Sequence, residues 1–591
     1  MKAKINTPLG LGFAALIGFA GLFTAMRWAT TVWHYRAIGV DNTDEGYYLS
    51  SVLFPHQIPH APTDYAFYLR PVWILFGQQL PAYRVAGFLL IVVVSAVIAC
   101  EFHRWVPLKN VLARTLFIGL TTSCIAGALA YQYVLWIPTP NYNLLGLCLL
   151  ALASSVVLSL LRKETLEVGV ETPSRYLQWT SSSWAGLVLF IVLTTRVTAG
   201  ILVGIVFSSL ILLHSLRQWR QSFSQILLGG VVGAAIHTCL TLRPPWRSVK
   251  SWMQSLELSK LRKDHSNRVL WEYDFFGSHV RPWLLWALFL IIGLAVARRL
   301  ISNSSIRRTI ALILSLVIIF DMWSARPAGG IAAVQSGVGW WWLRLTFYAL
   351  LLSFLIPHKI DKRNFGGPFV AFFALAGAAG SANGLYHQLI FTAGLLVLAV
   401  LAQVIILVRQ EGWKIVVVAP LCFFLLVFFT VGLTGARDTI RTPYRTVGSL
   451  SESSQLIEYG TFGNLRVHPN SAAFVEWVSL IRASLPENTS CVVNLEGATP
   501  VISALLGIKP AGTTWNLGSY PGSTEASLRS LELDNCWKTQ PFLLIDAPSG
   551  DTALPVPAMV ASLCDAPFTS FELNTDHKAS MRASLCNQPV D

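Results

Sequence analysis

The sequence predicts a polytopic α-helical membrane protein with a C-terminal extracytoplasmic α/β domain, and three observations carry that prediction. Of its 591 residues, 54% are hydrophobic and only 13% are charged, a balance too apolar for a soluble globular chain. The apolar residues gather into about thirteen runs of roughly 15–23 residues, the length that crosses a hydrocarbon core. The Lys and Arg residues sit in short clusters between those runs, and one choice of orientation puts almost every cluster on the same side. The net charge of +14 is therefore a membrane-boundary signal, and no nucleic-acid partner is expected.

In chain order the runs are 9–31, 82–100, 111–130, 144–161, 184–195, 198–213, 225–242, 282–297, 309–323, 340–356, 366–380, 387–408 and 415–434. The first follows Lys2 and Lys4 but is long and lacks a small-residue cleavage site, which predicts an uncleaved span rather than a signal peptide. Arg196 separates two short runs, and merging them would reverse the side of every later loop. With the N-terminus in the cytoplasm, the inner clusters are Lys2/Lys4, His103/Arg104/Lys109/Arg114, Arg162/Lys163/Arg175, Arg217/Arg220, Arg298/Arg299/Arg307/Arg308, His358/Lys359/Lys362/Arg363 and Arg409/Lys414. The odd number of spans then sends the tail outside. This divides the chain into a transmembrane domain, 1–435, and an outer domain, 436–591. No repeat of fixed period is visible.

Three outer segments depart from this plain pattern. The first outer loop, 32–81, opens with Asp41-Asn42-Thr43-Asp44-Glu45-Gly46-Tyr47-Tyr48 and continues through His56, His60, Tyr65, Tyr68 and Arg70-Pro71. Three carboxylates at the mouth of a span are costly to desolvate and are seldom placed there for packing alone. The plain alternative is a solvated loop end marking the membrane boundary. His56 and His60 read as loop histidines, not ligands. The second segment, Tyr131–Asn143, is aromatic and proline-rich, as suits an interfacial loop on the same face. The third, the basic outer loop 243–281, interleaves eight Arg/Lys and four Asp/Glu with Trp246, Trp252, Leu256 and Leu261. That mixture predicts an amphipathic helix in the membrane interface, with an anion site as the sharper reading.

The tail has soluble composition. Phe474–Leu485 shows helical spacing before Pro486, while Cys491-Val-Val-Asn-Leu-Glu and Pro541-Phe-Leu-Leu-Ile-Asp read as buried strands. Four of the nine cysteines, Cys491, Cys536, Cys564 and Cys586, lie there. An oxidising compartment would favour disulfides among them, and three pairings are open. No CxxC spacing suggests structural zinc.

Asp44-Glu45 in the first outer loop, the basic-Pro pair Arg70-Pro71, and Arg84 in Tyr83-Arg-Val-Ala-Gly form an ordered set. Together with Arg196 in Leu193-Thr-Thr-Arg-Val-Thr-Ala-Gly, this set resembles the polyprenyl-phosphate-sugar glycosyltransferases of the GT-C superfamily. The similar groups are the protein O-mannosyltransferases and the lipid A aminoarabinose transferases. The similarity covers roughly the first 215 residues. Arg stands twice where relatives carry Lys, and Val72 replaces the second Pro of their Lys-Pro-Pro.

The resemblance implies a transferase in the bacterial inner membrane with the 436–591 domain in the periplasm. It would move one sugar from a polyprenyl-phosphate donor, among membrane lipids, to an envelope lipid, glycan or protein, with inversion at the sugar carbon. Such a transfer needs a carboxylate to take the acceptor's proton and cations to hold the leaving phosphate. The catalytic candidates are Asp44 as base, with Glu45 or Asp41 orienting the acceptor or a metal. The phosphate-binding candidates are Arg70, Arg84 and Arg196, together with the basic outer loop. Arg84 could instead snorkel at a helix end and Arg70 pair with the loop acids. Asp41, Asp44 and Glu45 offer oxygen ligands that a divalent metal could take, although three nearby acids do not by themselves make a site. The alternatives are a lipid-linked oligosaccharide ligase or polymerase, whose functional loop usually comes late, and a non-enzymatic transporter or flippase. The latter would favour ionisable residues within spans and internal repeats.

Overall fold

The structure is a computed structural model. It describes residues 8–58, 63–106, 108, 110–135, 138–163, 175–213, 219–261, 276–324, 336–357, 360–379, 385–441, 449–516, 518, 522–547, 553–564, 567, 569–573 and 579–586. His60 and part of the basic outer loop lie outside these residues. Each predicted apolar run falls on helix, although several helices extend five to nine residues beyond the run, as at Arg175–Thr195 and Ile415–Arg441. Among the described residues, seven helices are long and apolar enough to cross a membrane, and three shorter apolar helices accompany them at 182–195, 197–210 and 418–431. This is a polytopic α-helical membrane fold. Leu385–Glu411, buried on nearly all sides, forms its centre, whereas 277–300 leaves most of its surface outward.

The opening elements are α1 (Pro8–Tyr35), α2 (Asp44–Leu53), α3 (Tyr65–Leu75), α4 (Leu80–Trp105), α5 (Val111–Leu135) and α6 (Tyr142–Lys163). Next come α7 (Arg175–Thr195), α8 (Val197–Leu213), α9 (Trp219–Thr241) and α10 (Pro245–Leu261). The first outer loop is thus largely helical. The predicted amphipathic segment is realised as α10, which buries no residue fully. Its Trp246, Val249, Met253 and Leu256 are exposed at i, i+3, i+7 and i+10, one face of a helix.

Among the described residues, members of the two families of loops gather at opposite ends of the helices. At one end Glu101 accepts hydrogen bonds from Arg104 and Arg162 at 3.0 and 2.9 Å. Arg298 there donates to the Phe354 and Pro357 carbonyls, and Arg308 pairs with Glu411. These are the clusters that charge assigned to the inner side. The first outer loop, the Tyr131–Asn143 segment and the Arg196 junction meet at the other end.

The tail contains a hairpin, β1 (Gln455–Tyr459) with β2 (Gly463–Val467), and a four-stranded sheet. The sheet comprises β3 (Val492–Asn494), β4 (Phe542–Asp546), β5 (Thr569–Leu573) and β6 (Ala579–Cys586), in the order β3-β4-β6-β5. β3 and β4 run parallel, and β6 lies antiparallel to both its neighbours. All five residues of β4 are buried, and its run of four apolar residues before Asp546 suits a central strand. The predicted tail helix begins earlier, at Pro469, because Pro fits the first helical turn, where no amide partner is needed. Both disulfides form, Cys491–Cys536 across 45 residues and Cys564–Cys586 across 22.

The tail is joined to the acidic loop and not merely tethered to the bundle. Arg466 exchanges backbone hydrogen bonds of 2.8 Å with Ala37 and Gly39. The Val501 amide donates to the Asn42 carbonyl at 3.2 Å, and Ser50 Oγ donates to the Pro500 carbonyl at 3.1 Å. Gly46 lies so close to this contact that a Cβ there would fall 2.5 Å from the Val501 nitrogen. The tail and the first loop therefore share one side of the bundle.

Candidate active site

The three acids of the first loop have different surroundings. Asp41 is 2% exposed and organises the start of α2. Its Oδ1 accepts from the Thr43 amide and hydroxyl at 2.8 and 2.6 Å, and Oδ2 accepts from the Glu45 amide at 3.3 Å. These bonds satisfy amides that the first helical turn leaves open. Burial, then the neighbouring Asp44 charge, pushes the Asp41 carboxyl up to about 7.

Glu45 is also buried, and its carboxylate is held by Arg84. Nε and Nη2 of Arg84 donate to Glu45 at 2.8–3.0 Å, and the Thr139 hydroxyl donates to the same carboxylate. The remaining Arg84 contacts go to the carbonyls of Arg36, Ile38 and Gly39 at 2.9–3.2 Å. A bidentate, backbone-saturated guanidinium is a structural cation. It fastens the end of α1, the start of α4 and the acidic loop together. Each of the three nitrogens of Arg84, expected to bind phosphate, is engaged within the protein, and so is the carboxylate of Glu45, expected to orient the acceptor.

Asp44, the remaining acid, is half-buried at the first position of α2. It faces Tyr48, whose phenol burial and neighbouring charges, Asp44 among them, keep protonated. Tyr48, Tyr65 and Tyr142 pack edge to face, with ring centroids 5.6–6.3 Å apart, the geometry that aromatic quadrupoles favour. On the same side Tyr47 meets Trp515 of the tail at 6.3 Å.

Arg196 closes the cluster. It occupies the single-residue break between α7 and α8 and is 8% exposed. Its Cζ lies 5.8 Å from the Tyr142 ring, and Nη1 donates to Asn143 Oδ1 at 3.3 Å. Among the described residues no carboxylate pairs with it. A buried guanidinium held by one neutral acceptor and a ring face lacks the counter-charge its desolvation calls for.

Arg70 stands apart, at the α2–α3 corner. It is half-buried, and Nη1 donates to the Leu53 carbonyl at 3.1 Å, so backbone takes the place of the loop acids as its partner. His56 is exposed, and its carbonyl accepts from Arg243 at the start of the basic outer loop.

The acids do not offer a metal the ligands expected of them. The Glu45 carboxylate is wrapped around Arg84 and that of Asp41 around backbone amides. Among the described residues no His, Cys, Asp or Glu group is arranged to hold a metal ion. Thr139, Tyr142 and Asn143 join the site from the aromatic, proline-rich segment, whose composition marked its place but assigned these residues no role.

No family model and no curated protein matches this chain. Two crystal structures of ArnT from Cupriavidus metallidurans, one bound to undecaprenyl phosphate and one in the apo state, align with 97% of this chain and 98% of theirs. Sequence identities are 14% and 11%, and TM-scores are 0.37 and 0.38.

Proposed function

We propose that this protein is a membrane glycosyltransferase that moves a sugar from a polyprenyl-phosphate donor to an acceptor at the face where the first loop and the tail meet. The observation that carries this reading is Arg196, a buried cation with no carboxylate partner among the described residues, in a tyrosine cluster that also borders Asp44. A phosphate about 4 Å from such a charge gains about 4 kcal/mol at an effective dielectric of 20. That interaction supports the leaving group as the sugar–oxygen bond breaks. Asp44, the most accessible of the three loop acids, takes the proton of the attacking acceptor hydroxyl. The acceptor oxygen bonds to the anomeric carbon, and the polyprenyl phosphate departs with the bond electrons toward Arg196. Tyr48, Tyr65 and Tyr142 line the space between the two charges and keep it poor in water. By this reading the tail, whose Trp515 meets Tyr47, lies on the acceptor side. By this reading the protein works in a bacterial inner membrane with its tail in the periplasm.

Mass spectrometry of envelope lipids, glycans and proteins from a deletion strain tests this. One sugar should be lost from one acceptor, restored by the wild-type gene and not by Asp44→Asn. With a defined donor in vitro, Asp44→Asn should lower turnover by about 10²–10⁴-fold while the protein still folds. A fully active Asp44→Asn enzyme would remove the catalytic assignment.

A further inference from the structure

A second buried polar cluster lies next to Arg196 and has no part in the chemistry above. It joins residues far apart in sequence: Asp64 and Tyr68 at the start of α3, Thr194 near the end of α7, His237 in α9, and Ser248 in α10. The Tyr68 hydroxyl lies 2.7 Å from Thr194 Oγ1 and 3.0 Å from His237 Nδ1. The other imidazole nitrogen, Nε2, lies 3.0 Å from Ser248 Oγ and 3.6 Å from Asp64 Oδ2. The Asp64 amide donates to the Thr194 carbonyl at 3.0 Å. His237 is fully buried and Asp64 is 8% exposed.

Thr194 is the point of interest because it stands two residues before Arg196. The carbonyls of a helix's last turn lack intrahelical partners. Here the Thr194 carbonyl is taken by α3, and its hydroxyl meets Tyr68. The polypeptide that presents Arg196 is thus held from α3, and through His237 from the α9–α10 corner. Tyr65, one turn before Tyr68 on α3, packs against Tyr142 beneath the Arg196 guanidinium. The first turn of this short helix therefore bears on the same cation from two directions, through Tyr65 and Tyr142 and through Tyr68 and Thr194. A long guanidinium side chain loses rotamer freedom when it binds an anion, and fixing its backbone beforehand lowers that cost.

We infer that Tyr68, with Thr194 and His237, is a positioning residue that holds the α7–α8 junction so that Arg196 meets the phosphate of a polyprenyl monophosphate. The inference rests on the proposed phosphate role of Arg196.

The test is a double-mutant cycle on the full-length protein in detergent, with undecaprenyl phosphate as the probe and affinity as the readout. Tyr68→Phe keeps the ring and removes the hydroxyl, and Thr194→Val keeps the shape and removes its partner. Each should weaken binding by about threefold to tenfold, the size of one lost hydrogen bond, and combining them should add little. In an Arg196→Ala background Tyr68→Phe should have no further effect, which a merely structural role would not produce. Melting temperatures measured in parallel exclude general loss of fold. Three results overturn the inference in distinguishable ways. Unchanged binding for Arg196→Ala removes the phosphate reading itself. Weakened binding for Arg196→Ala with wild-type affinity for both hydroxyl variants removes only the positioning role. An equal loss from Tyr68→Phe with and without Arg196 makes the cluster structural.

Discussion

Arg84 and Arg196 are both buried arginines at the same end of the bundle, yet they sit in opposite electrostatic conditions. Arg84, at 2% exposure, meets Glu45 bidentately, and its remaining donors meet backbone carbonyls. Arg196, at 8%, has among the described residues one neutral acceptor and a tyrosine face. Burial alone therefore does not identify a functional cation. The informative quantity is how much of the charge's desolvation the protein itself offsets. Where the protein offsets all of it, the residue builds the fold; where most is left open, an anion from outside has a place.

The largest effect expected from this contrast concerns stability. Arg84→Ala leaves Glu45 buried without its partner and should cost about 3–5 kcal/mol of folding free energy. Chemical denaturation in detergent reads this directly. A fully stable Arg84→Ala protein that had lost only donor binding would invert the contrast and return Arg84 to the site.

A smaller effect sharpens the roles of the acids. The Asp41 carboxyl is pushed up to about 7 from its ordinary 3.8 by burial and by the neighbouring Asp44 charge. Between about pH 4 and 7 the folded protein holds a proton there that the unfolded chain has released. Stability therefore falls as pH rises through that window and levels off above it, at no more than about 1.4 kcal/mol per pH unit. Asp41→Asn removes the titration, so its melting temperature relative to wild type should be higher at pH 8 than at pH 5. An unchanged difference between the two pH values would show that Asp41 does not hold this proton.

The distribution of legible and hidden features follows from the range of the forces involved. The apolar runs, the one-sided basic clusters and the two buried tail strands depend on composition within a short window, and the helices and strands stand where those windows put them. Arg196 was visible for the same reason, as a cation interrupting an apolar stretch. The engagement of Arg84 was not, because it depends on Glu45 lying 39 residues away and on carbonyls at 36–39. The pattern that suggested a phosphate ligand contains no record of them. The Asp64–Tyr68–His237–Ser248 cluster was still less accessible, since its members come from three helices and the turn before one of them, with no shared local motif. The disulfide pairings likewise depend on which distant segments of the tail became neighbours.

The central claim is that Arg196 is an open phosphate site, and direct binding of undecaprenyl phosphate to purified, folded protein tests it. Arg196→Ala should lose about 2–5 kcal/mol of affinity, and Arg196→Lys should keep part of it, because lysine retains the charge but not the planar fork. Equal affinity for wild type and Arg196→Ala, with both proteins melting at the same temperature, would contradict the claim.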